Sequence, residues 1–279
     1  MSKVCVIGWP INHSRSPLIH NYWINKHGLN ATYEKQAVAP ENLRHFLTTL
    51  EVAGYVGCNV TIPHKETAIS SIARPDDRVK KIGALNTIYF RNGKSCGTST
   101  DGEGFFQNLL SYVPDIEVAN KSVVVLGAGG AARAIVDRLL EESPKAIHVI
   151  NRNIDRAQQI QNDFGERVRV GDSQALQNLL PTADLFVNTT SLGMTGHERL
   201  EIALELLPKT AVVADIVYVP LKTSLVKNAE ALGLRTVPGL GMLLHQAVRG
   251  FELWFGIRPE VTIELHDLVA GDIDPEYKS

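Results

Sequence analysis

The sequence predicts an α/β protein of two domains, each built around a largely parallel β-sheet. Short runs of β-branched residues alternate with helical patterns along most of the chain. The length of 279 residues exceeds the usual size of one domain. The alternation becomes more regular after residues 102–120, and no Pro- or Ser-rich linker lies there. We therefore expect a helix or a short loop between two domains.

The first block of strands and helices runs from Lys3 to about Gly97. Its β-branched runs and helical patterns follow the βαβ rhythm of a parallel sheet. Two strand-like runs further on are joined at Asn92-Gly93, a dipeptide typical of hairpin turns. This dipeptide predicts two antiparallel strands at the sheet edge. In chain order the block reads strand KVCVIG, helix 16–27, strand ATYEKQAV, helix 40–52, strand YVGCNVTI and the hairpin LNTIYFRNGKSCGT.

The second block is a more regular series of strands and helices. Its strands are KSVVVLGAGG, AIHVINR, RVRV, ADLFVNTT, TAVVADIVY and LRTVPG. A last helical pattern, GLGMLLHQAVRGFELWFG, places apolar residues at the period of a buried helix face. Gln246 lies off this apolar stripe, which favours contact with a ligand over packing.

Charge and hydropathy exclude two classes of protein. The formal charge of −2 comes from 28 basic and 30 acidic residues without a long run of one sign, so we expect no nucleic-acid partner. No apolar run approaches the ~18 residues of a membrane span, and the N-terminus lacks a signal-peptide pattern. We expect small-molecule partners and neither membrane insertion nor export.

Cysteine and histidine spacing gives no sign of a disulfide framework or a metal site. Cys5, Cys58 and Cys96 are widely spaced and form no C-x-x-C pair, which favours a reducing, cytoplasmic location. The histidines near the polar clusters described below lack the carboxylate neighbours and spacing of metal ligands. We predict no metal.

A glycine-rich turn in the second block predicts a dinucleotide site. Gly127, Gly129 and Ala132 form G-x-G-x-x-A directly between a strand and a helical pattern, which is the context that this fingerprint requires. The glycines let the backbone approach a pyrophosphate, whose charge is met by the helix N-terminus. The predicted contacts are Gly127, Ala128, Gly129, Gly130 and Ala131, in a Rossmann-type, doubly wound domain.

The end of the next strand predicts NADP over NAD. NAD enzymes normally place an acidic residue there to bind the ribose hydroxyls, but this chain has Asn151 and Arg152. An arginine can pair with a 2′-phosphate, and Arg156 one turn later adds positive charge. Asn153 is a further candidate donor. Thr189 and Ser191 follow the strand ADLFVN and are predicted to lie on the nicotinamide side.

Polar clusters at strand ends in the first block predict a substrate site. Ser14 and Ser16 precede Pro17 at a helix start, where hydroxyls and free amides can bind a carboxylate, although Ser16 alone also fits a helix N-cap. The segments NVTIPHK, GALNT and GTSTDGEGF each end a strand-like run. Ligands of α/β sheets bind at such ends.

These motifs together resemble the shikimate dehydrogenase family. The following occur in order from Gly8 to Gly256: G-x-P-I-x-H-S-x-S-P, N-V-T-I-P-x-K, G-A-x-N-T, T-D-x-x-G-F, G-A-G-G-A-A-R-A, N-R, D-I-V-Y-x-P-x-x-T and G-x-x-M-L-x-x-Q-A. The resemblance implies reduction of 3-dehydroshikimate to shikimate with NADPH, a step of aromatic amino acid biosynthesis. It implies a substrate domain, 1–103 plus 239–279, and an NADP domain, 104–238, with a cleft between them.

The resemblance also implies roles for single residues. Ser14 and Ser16 would hold the substrate carboxylate, and Lys65 and Asp101 would be the catalytic pair. The ring hydroxyls would contact Asn59, Thr61, Asn86 and Gln246, with Tyr218 nearby. Gly239 and Met242 join the predicted cofactor contacts. We expect a monomer or a homodimer.

The predicted chemistry explains the lysine. Hydride delivery to a ketone leaves negative charge on oxygen, so a proton donor is needed beside it. A neighbouring Asp101 carboxylate favours the ammonium form of Lys65. Two positions depart from the family pattern: Ser99 replaces an asparagine two residues before Asp101, where a shorter side chain could loosen the loop, and Asn153 stands where threonine is frequent.

Three other functions compete with this one. A quinate/shikimate dehydrogenase would share Lys65 and Asp101 but often uses NAD, which Arg152 disfavours. A lyase could form a Schiff base on Lys65, although the dinucleotide fingerprint would then be redundant. A non-catalytic NADP-binding regulatory protein could retain the fold alone, but the presence of both Lys65 and Asp101 speaks against it.

Overall fold

The structure is a computed structural model that describes residues 1–278. They form two compact units. Unit 1 comprises Met1–Asp101 and Leu243–Val269; unit 2 comprises Gly102–Met242 and the residues from Ala270 onward. The domain boundaries expected from the sequence, after residues 103 and 238, stay a prediction. No helix among the described residues is both long enough and apolar enough to cross a bilayer.

Unit 1 contains a mixed six-stranded sheet. Its strands are β1 Ser2–Gly8, β2 Ala31–Ala37, β3 Tyr55–Val60, β4 Arg74–Pro75, β5 Thr87–Arg91 and β6 Lys94–Thr98, in the order β2-β1-β3-β5-β6-β4. β1 pairs in parallel with β2 and β3, whereas β5 is antiparallel to both β3 and β6. The β5–β6 hairpin turns at Asn92 and Gly93, both with positive φ, which confirms the predicted turn. The two-residue β4, which was not predicted, forms the edge beyond β6.

Helices cover the sheet of unit 1. They are α1 Ser16–Lys26, α2 Leu43–Thr49 and α3 Asp77–Ile82, and 3₁₀ turns lie at Pro40–Asn42 and Thr67–Ser71. The predicted helix over 40–52 is therefore a 3₁₀ turn followed by the shorter α2. Apolar side chains of β1 and β3 pack against α2 in one buried core, because alternate strand residues point to that face.

Unit 2 contains a parallel six-stranded sheet. Its strands are β7 Ser122–Leu126, β8 Ala146–Ile150, β9 Val168–Gly171, β10 Leu185–Asn188, β11 Val212–Asp215 and β12 Arg235–Val237, in the order β12-β11-β10-β7-β8-β9. Its helices are α5 Gly130–Glu141, α6 Ile154–Phe164, α7 Ser173–Leu179 and α8 Ser224–Ala231, with 3₁₀ turns at Leu180–Thr182 and Leu204–Leu206. The strand order reverses between β7 and β10, as in a doubly wound dinucleotide-binding sheet. The predicted fold class is confirmed.

Three further helices begin in one unit of the chain and end in the other. They are α4 Asp101–Tyr112, α9 Leu240–Phe255 and α10 Ile263–Ile273. Asp101 is the first residue of α4 and Gln246 lies within α9, so both side chains are carried on helices. Rigid helices hold functional groups more firmly than loops do.

Candidate active site

The polar clusters of unit 1 lie at one edge of its sheet. β1 and β3 end there, at Gly8 and Val60. Because β5 is antiparallel to β3, its first residue, Thr87, lies opposite Asn59, and Thr98 at the end of β6 lies opposite Thr87. The segments that follow β3, precede β5 and follow β6 therefore meet, although they are far apart in sequence.

Lys65 and Asp101 form an ion pair at this edge. Lys65 Nζ lies 2.5 Å from Asp101 Oδ2, and the side chains are 19% and 8% exposed. The backbone of Lys65 is fixed because its carbonyl accepts a hydrogen bond from Leu85 N–H. Asp101 is the first residue of α4, where the helix dipole stabilises a carboxylate. The Lys65 ammonium is therefore partly accessible, whereas its counter-ion, the Asp101 carboxylate, is largely buried.

Asn86 connects this pair to two other polar side chains. Its Nδ2 lies 2.9 Å from Asp101 Oδ1, 2.9 Å from Thr100 Oγ1 and 3.2 Å from Gln246 Oε1. Its Oδ1 accepts from Thr100 N–H at 2.9 Å. Asn86 and Thr100 are buried, whereas Gln246 is half-buried. One amide thus fixes the orientation of the Asp101 carboxylate.

Asn59 is held by Tyr33, which the sequence did not indicate, and by the segment that includes the predicted Asn86. Tyr33 of β2 donates its hydroxyl to Asn59 Oδ1 at 2.6 Å, and Asn59 Nδ2 donates to Asn86 O and to Thr87 Oγ1, both at 3.1 Å. Both amide hydrogens of Asn59 are engaged, so only a lone pair of Oδ1 remains for a ligand. Tyr33 and Thr100 are parts of the site that sequence reasoning missed. Thr100 could have been found as a polar residue just after the end of β6, whereas Tyr33 lies within β2 and has no such signal.

The N-terminus of α1 brings Ser14 and Ser16 together. The N-cap residue is Arg15, whose side chain makes no capping bond, and Ser16 is the first helical residue. The alternative reading of Ser16 as the N-cap is therefore wrong. Ser16 N–H is 3.3 Å from Ser14 Oγ, so the two serines are adjacent at the helix end. Pro17 has no N–H, and Leu18 N–H donates to Arg15 O at 3.0 Å. The two serine hydroxyls, rather than free helix amides, therefore suit a carboxylate ligand.

Thr61 lies at the end of β3 beside Gly8. Thr61 N–H donates to Ile7 O at 2.9 Å, which continues the β1–β3 ladder. A Cβ on Gly8 would lie 2.7 Å from Thr61 Cγ2, so only glycine permits this approach. The Thr61 side chain is half-buried. Its position is set by the close packing of the two strand ends.

The glycine-rich turn of unit 2 fits a dinucleotide. Gly127 has φ 113°, which favours glycine, and a Cβ on Gly129 would meet no atom within 4 Å. Gly129 precedes α5 without a side-chain cap, and the first turn of α5 has no acidic residue. The open space over Gly129 and the free amides from Gly130 and Ala131 onward form a cradle for a pyrophosphate. Ala128, between the glycines, is buried.

The loop after β10 packs on this turn. Thr189 donates both its N–H, at 2.8 Å, and its hydroxyl, at 2.7 Å, to Leu126 O. The Thr189 hydroxyl therefore links the ends of β7 and β10, whereas Ser191 is exposed. Gly239 packs on the backbone of unit 2: a Cβ there would lie 2.5 Å from Ile216 O. Met242 is buried in the apolar core of unit 2.

The segment after β8 carries the predicted phosphate ligands. Arg152, Asn153 and Arg156 are exposed, and Asn151 Nδ2 donates to Asn153 O at 2.7 Å. Asn153 is the N-cap of α6, because its Oδ1 accepts from the N–H groups of Asp155 and Arg156. The capping uses the amide oxygen, which leaves the amide hydrogens to face an anion.

The predicted site residues divide between the units. Hydrogen bonds join Lys65, Asp101, Asn86, Gln246 and Asn59 in unit 1, where Ser14, Ser16 and Thr61 also lie. Tyr218 and all predicted cofactor contacts belong to unit 2. Among residues 1–278, no group of three or more His, Cys, Asp or Glu side chains could hold a metal ion.

Three family profiles match the chain. They describe the shikimate dehydrogenase substrate binding domain over residues 6–88, shikimate / quinate 5-dehydrogenase over residues 111–224, and the shikimate 5′-dehydrogenase C-terminal domain over residues 239–263. The first covers the strand-end clusters around Ser14 and Lys65. The second covers the glycine-rich turn.

Relatives and solved structures extend the match over nearly the whole chain. Shikimate dehydrogenase (NADP(+)) of Nitrobacter winogradskyi is 51% identical over 269 residues, which cover 96% of each chain. A crystal structure of a shikimate dehydrogenase in complex with NADP+ has a TM-score of 0.89 at 33% identity, covering 98% of this chain and 96% of that one. A quinate dehydrogenase from Corynebacterium glutamicum in complex with NAD has a TM-score of 0.88 at 28% identity, covering 96% and 99%.

Proposed function

The chain belongs to the shikimate dehydrogenase family, and from this premise we propose that it reduces 3-dehydroshikimate to shikimate with NADPH. The activity is that of an oxidoreductase acting on a CH-OH group. The observation that carries the proposal is the Lys65–Asp101 pair, with Nζ 2.5 Å from Oδ2 at the strand edge of unit 1. A partly accessible ammonium is the proton donor that ketone reduction needs, and the buried carboxylate holds it in place.

Lys65 is the proton donor in this proposal. When hydride adds to the carbonyl carbon, negative charge develops on the oxygen, and the ammonium transfers a proton from Nζ to that oxygen. Asp101 stabilises the ammonium before the transfer and orients Nζ, while Asn86 holds Asp101 Oδ1 at 2.9 Å. In the oxidative direction the neutral amine accepts the proton from the substrate hydroxyl.

The other polar groups of unit 1 bind the substrate. We place the substrate carboxylate on the hydroxyls of Ser14 and Ser16 at the N-terminus of α1. Thr61 and the cluster of Asn86 and Gln246 contact the ring hydroxyls. Asn59 contacts them as an acceptor alone, because both hydrogens of its Nδ2 are already donated. Tyr218 of unit 2 is a further substrate contact in the proposal.

Unit 2 binds the cofactor. NADPH supplies the hydride when bound. The turn from Gly127 to Ala131 holds the pyrophosphate, supported by the open space over Gly129. Arg152 and Arg156 pair with the 2′-phosphate, and the amide of Asn153 donates to it. These contacts select NADP over NAD. The proposed contacts on this unit also include Asn151, Thr189, Ser191, Gly239 and Met242.

A substrate and cofactor comparison tests the function. Purified protein is mixed with NADPH and 3-dehydroshikimate, and the loss of NADPH absorbance is followed. The reverse reaction is then measured with shikimate or quinate and with NADP or NAD. We expect the highest kcat/KM with shikimate and NADP. Faster oxidation of quinate with NAD would replace the proposal by the quinate dehydrogenase alternative, and inactivity with every pair would refute it.

We include location and assembly in the proposal. A cytoplasmic location is supported by three buried cysteines that remain free thiols. The chain acts as a monomer or a homodimer. Sedimentation equilibrium of the purified protein distinguishes these two states, and a larger assembly would contradict both.

A further inference from the structure

A buried carboxylate in unit 2 is used by no step of the proposed reaction. Asp215, the last residue of β11, is 2% exposed. Burial raises the pKa of its carboxyl group, and hydrogen bonds from Thr223, Val217 and Asn188 oppose this effect. A buried ionisable group is costly unless donors surround it. Two of its partners, Val217 and Thr223, lie in the loop after β11, and the third, Asn188, ends β10.

The first oxygen of Asp215 joins two strand ends. Asp215 Oδ1 accepts from Asn188 Nδ2 at 2.9 Å and from Val217 N–H at 3.0 Å. Asn188 ends β10, and its Oδ1 accepts from Thr190 N–H at 3.1 Å and from the Thr190 hydroxyl at 2.7 Å. Asn188 Nδ2 also donates to Leu192 O at 3.2 Å. Through one amide, Asp215 therefore orders the loop that begins at residue 189.

The second oxygen fixes the far end of the loop after β11. Thr223 donates its hydroxyl to Asp215 Oδ2 at 2.6 Å and, as the N-cap of α8, accepts from Val226 N–H at 3.3 Å. The segment from Val217 to Thr223 is thus attached to one carboxylate at both ends. Tyr218, a proposed substrate contact, lies inside this segment. Only a carboxylate can accept three such bonds without a hydrogen of its own.

We propose that Asp215 is a positioning residue that sets two ligand-binding loops together: residues 189–192, on the cofactor side, and residues 217–223, which carry Tyr218. Both loops follow carboxyl ends of parallel strands, where doubly wound sheets bind their ligands. Asp215 touches neither substrate nor cofactor and acts through Asn188, Val217 and Thr223. The inference rests on the proposed function for the identity of the ligands.

The Thr223 hydroxyl provides the test with the least change in volume. Thr223→Val removes the donor to Asp215 Oδ2, and Thr223→Ser keeps it. Thr182→Val is the matched control, because Thr182 is exposed in the same unit and its hydroxyl donates only to Leu179 O at 3.2 Å. Each variant is measured well below its Tm for kcat, for the KM of both NADPH and 3-dehydroshikimate, and for the Kd of NADPH by fluorescence.

We expect Thr223→Val to raise both KM values ~5- to 10-fold, the equivalent of one displaced hydrogen bond in each loop. Thr223→Ser and Thr182→Val should behave as wild type. Thr190→Val, which cuts only the connection to the cofactor loop, should raise the KM of NADPH alone. Folded Thr223→Val protein with wild-type KM and Kd values would overturn the inference, whatever its Tm, because the network would then be merely structural.

Two further outcomes remain decisive. If Thr223→Val does not fold, Asp215→Asn is measured in the same way, since it keeps the side-chain shape but turns one acceptor into a donor; wild-type constants for that variant would overturn the inference. If wild-type protein does not act on 3-dehydroshikimate, the proposed function fails on its own. The Kd of NADPH then decides the inference: a weaker Kd in Thr223→Val supports it and an unchanged Kd refutes it.

Discussion

Replacing Lys65 by methionine tests the proposed chemistry most directly. Lys65→Met keeps the aliphatic stem of the side chain and removes the ammonium that lies 2.5 Å from Asp101 Oδ2. Asp101 would still accept from Asn86 Nδ2 at 2.9 Å and lie at the N-terminus of α4. The substitution therefore removes the proton donor while the site around it keeps most of its hydrogen bonds.

The expected size of the effect follows from these contacts. Loss of a positioned general acid lowers turnover by ~10²- to 10⁴-fold, or about 3–5 kcal/mol of activation free energy. The stability loss should be smaller, about 1–2 kcal/mol, because Lys65 is partly exposed and Asp101 keeps other partners. The Kd of NADPH should stay unchanged, since the proposed NADPH contacts lie in the other unit.

A matched surface pair provides the control. Lys80 Nζ lies 2.8 Å from Asp77 Oδ1, but those side chains are 62% and 98% exposed, so Lys80→Met should change neither turnover nor stability measurably. The assay compares kcat, KM, the Kd of NADPH and urea unfolding for both variants. If folded Lys65→Met retained near wild-type kcat, Lys65 would not be the proton donor and the proposed mechanism would fail.

Three further predictions concern acidity, substrate binding and cofactor choice. Complete burial lowers the pKa of His20 from 6.5 to about 3, so between these values the unfolded chain binds a proton that the folded chain does not. The free energy of unfolding should therefore fall by ~2 kcal/mol between pH 7 and pH 5, and His20→Phe should lose this part of the pH dependence when urea unfolding is measured at those two pH values. Tyr33→Phe removes the hydroxyl from Asn59 Oδ1 and should raise the substrate KM ~5-fold with kcat kept, so an unchanged KM would contradict the role given to Tyr33. Arg152→Ala should lower the ratio of kcat/KM for NADP over NAD by ~10- to 100-fold, whereas the exposed Arg199→Ala should leave it unchanged.

Much of the fold was predictable because strand periodicity and turn residues act locally. The hairpin at Asn92-Gly93 needed no long-range information, and the glycine-rich fingerprint between a strand and a helix predicted the doubly wound sheet. The edge strand β4 did not follow from the sequence, since Arg74–Pro75 is too short for a periodic signal and pairs with Cys96 and Gly97 only through the tertiary fold. The 3₁₀ turn before α2 was not predicted either, because Pro40 marks a helix start without specifying the type of helix.

The proposed site was predictable in its residue types but not in its connections. Ser99 replaces an asparagine of the family pattern, and the sequence suggested a looser loop before Asp101. In the structure Ser99 is buried, and Asp101 is oriented by Asn86, which precedes an antiparallel strand far back in the chain. No local pattern reveals this bond, because it depends on β5 running against β3. The orientation of Asp101 is thus carried by a residue other than the one that changed.

Helix ends give the clearest link between sequence and proposed ligands. α3, α6, α7 and α8 start at side chains that accept backbone N–H groups: Asp76, Asn153, Asp172 and Thr223. α5 starts at Gly129 without such a bond, and its first turn has no acidic residue. Free helix amides are costly unless water or an anion satisfies them. The proposed pyrophosphate would satisfy this end, so a capping aspartate introduced by Gly129→Asp should compete with NADPH.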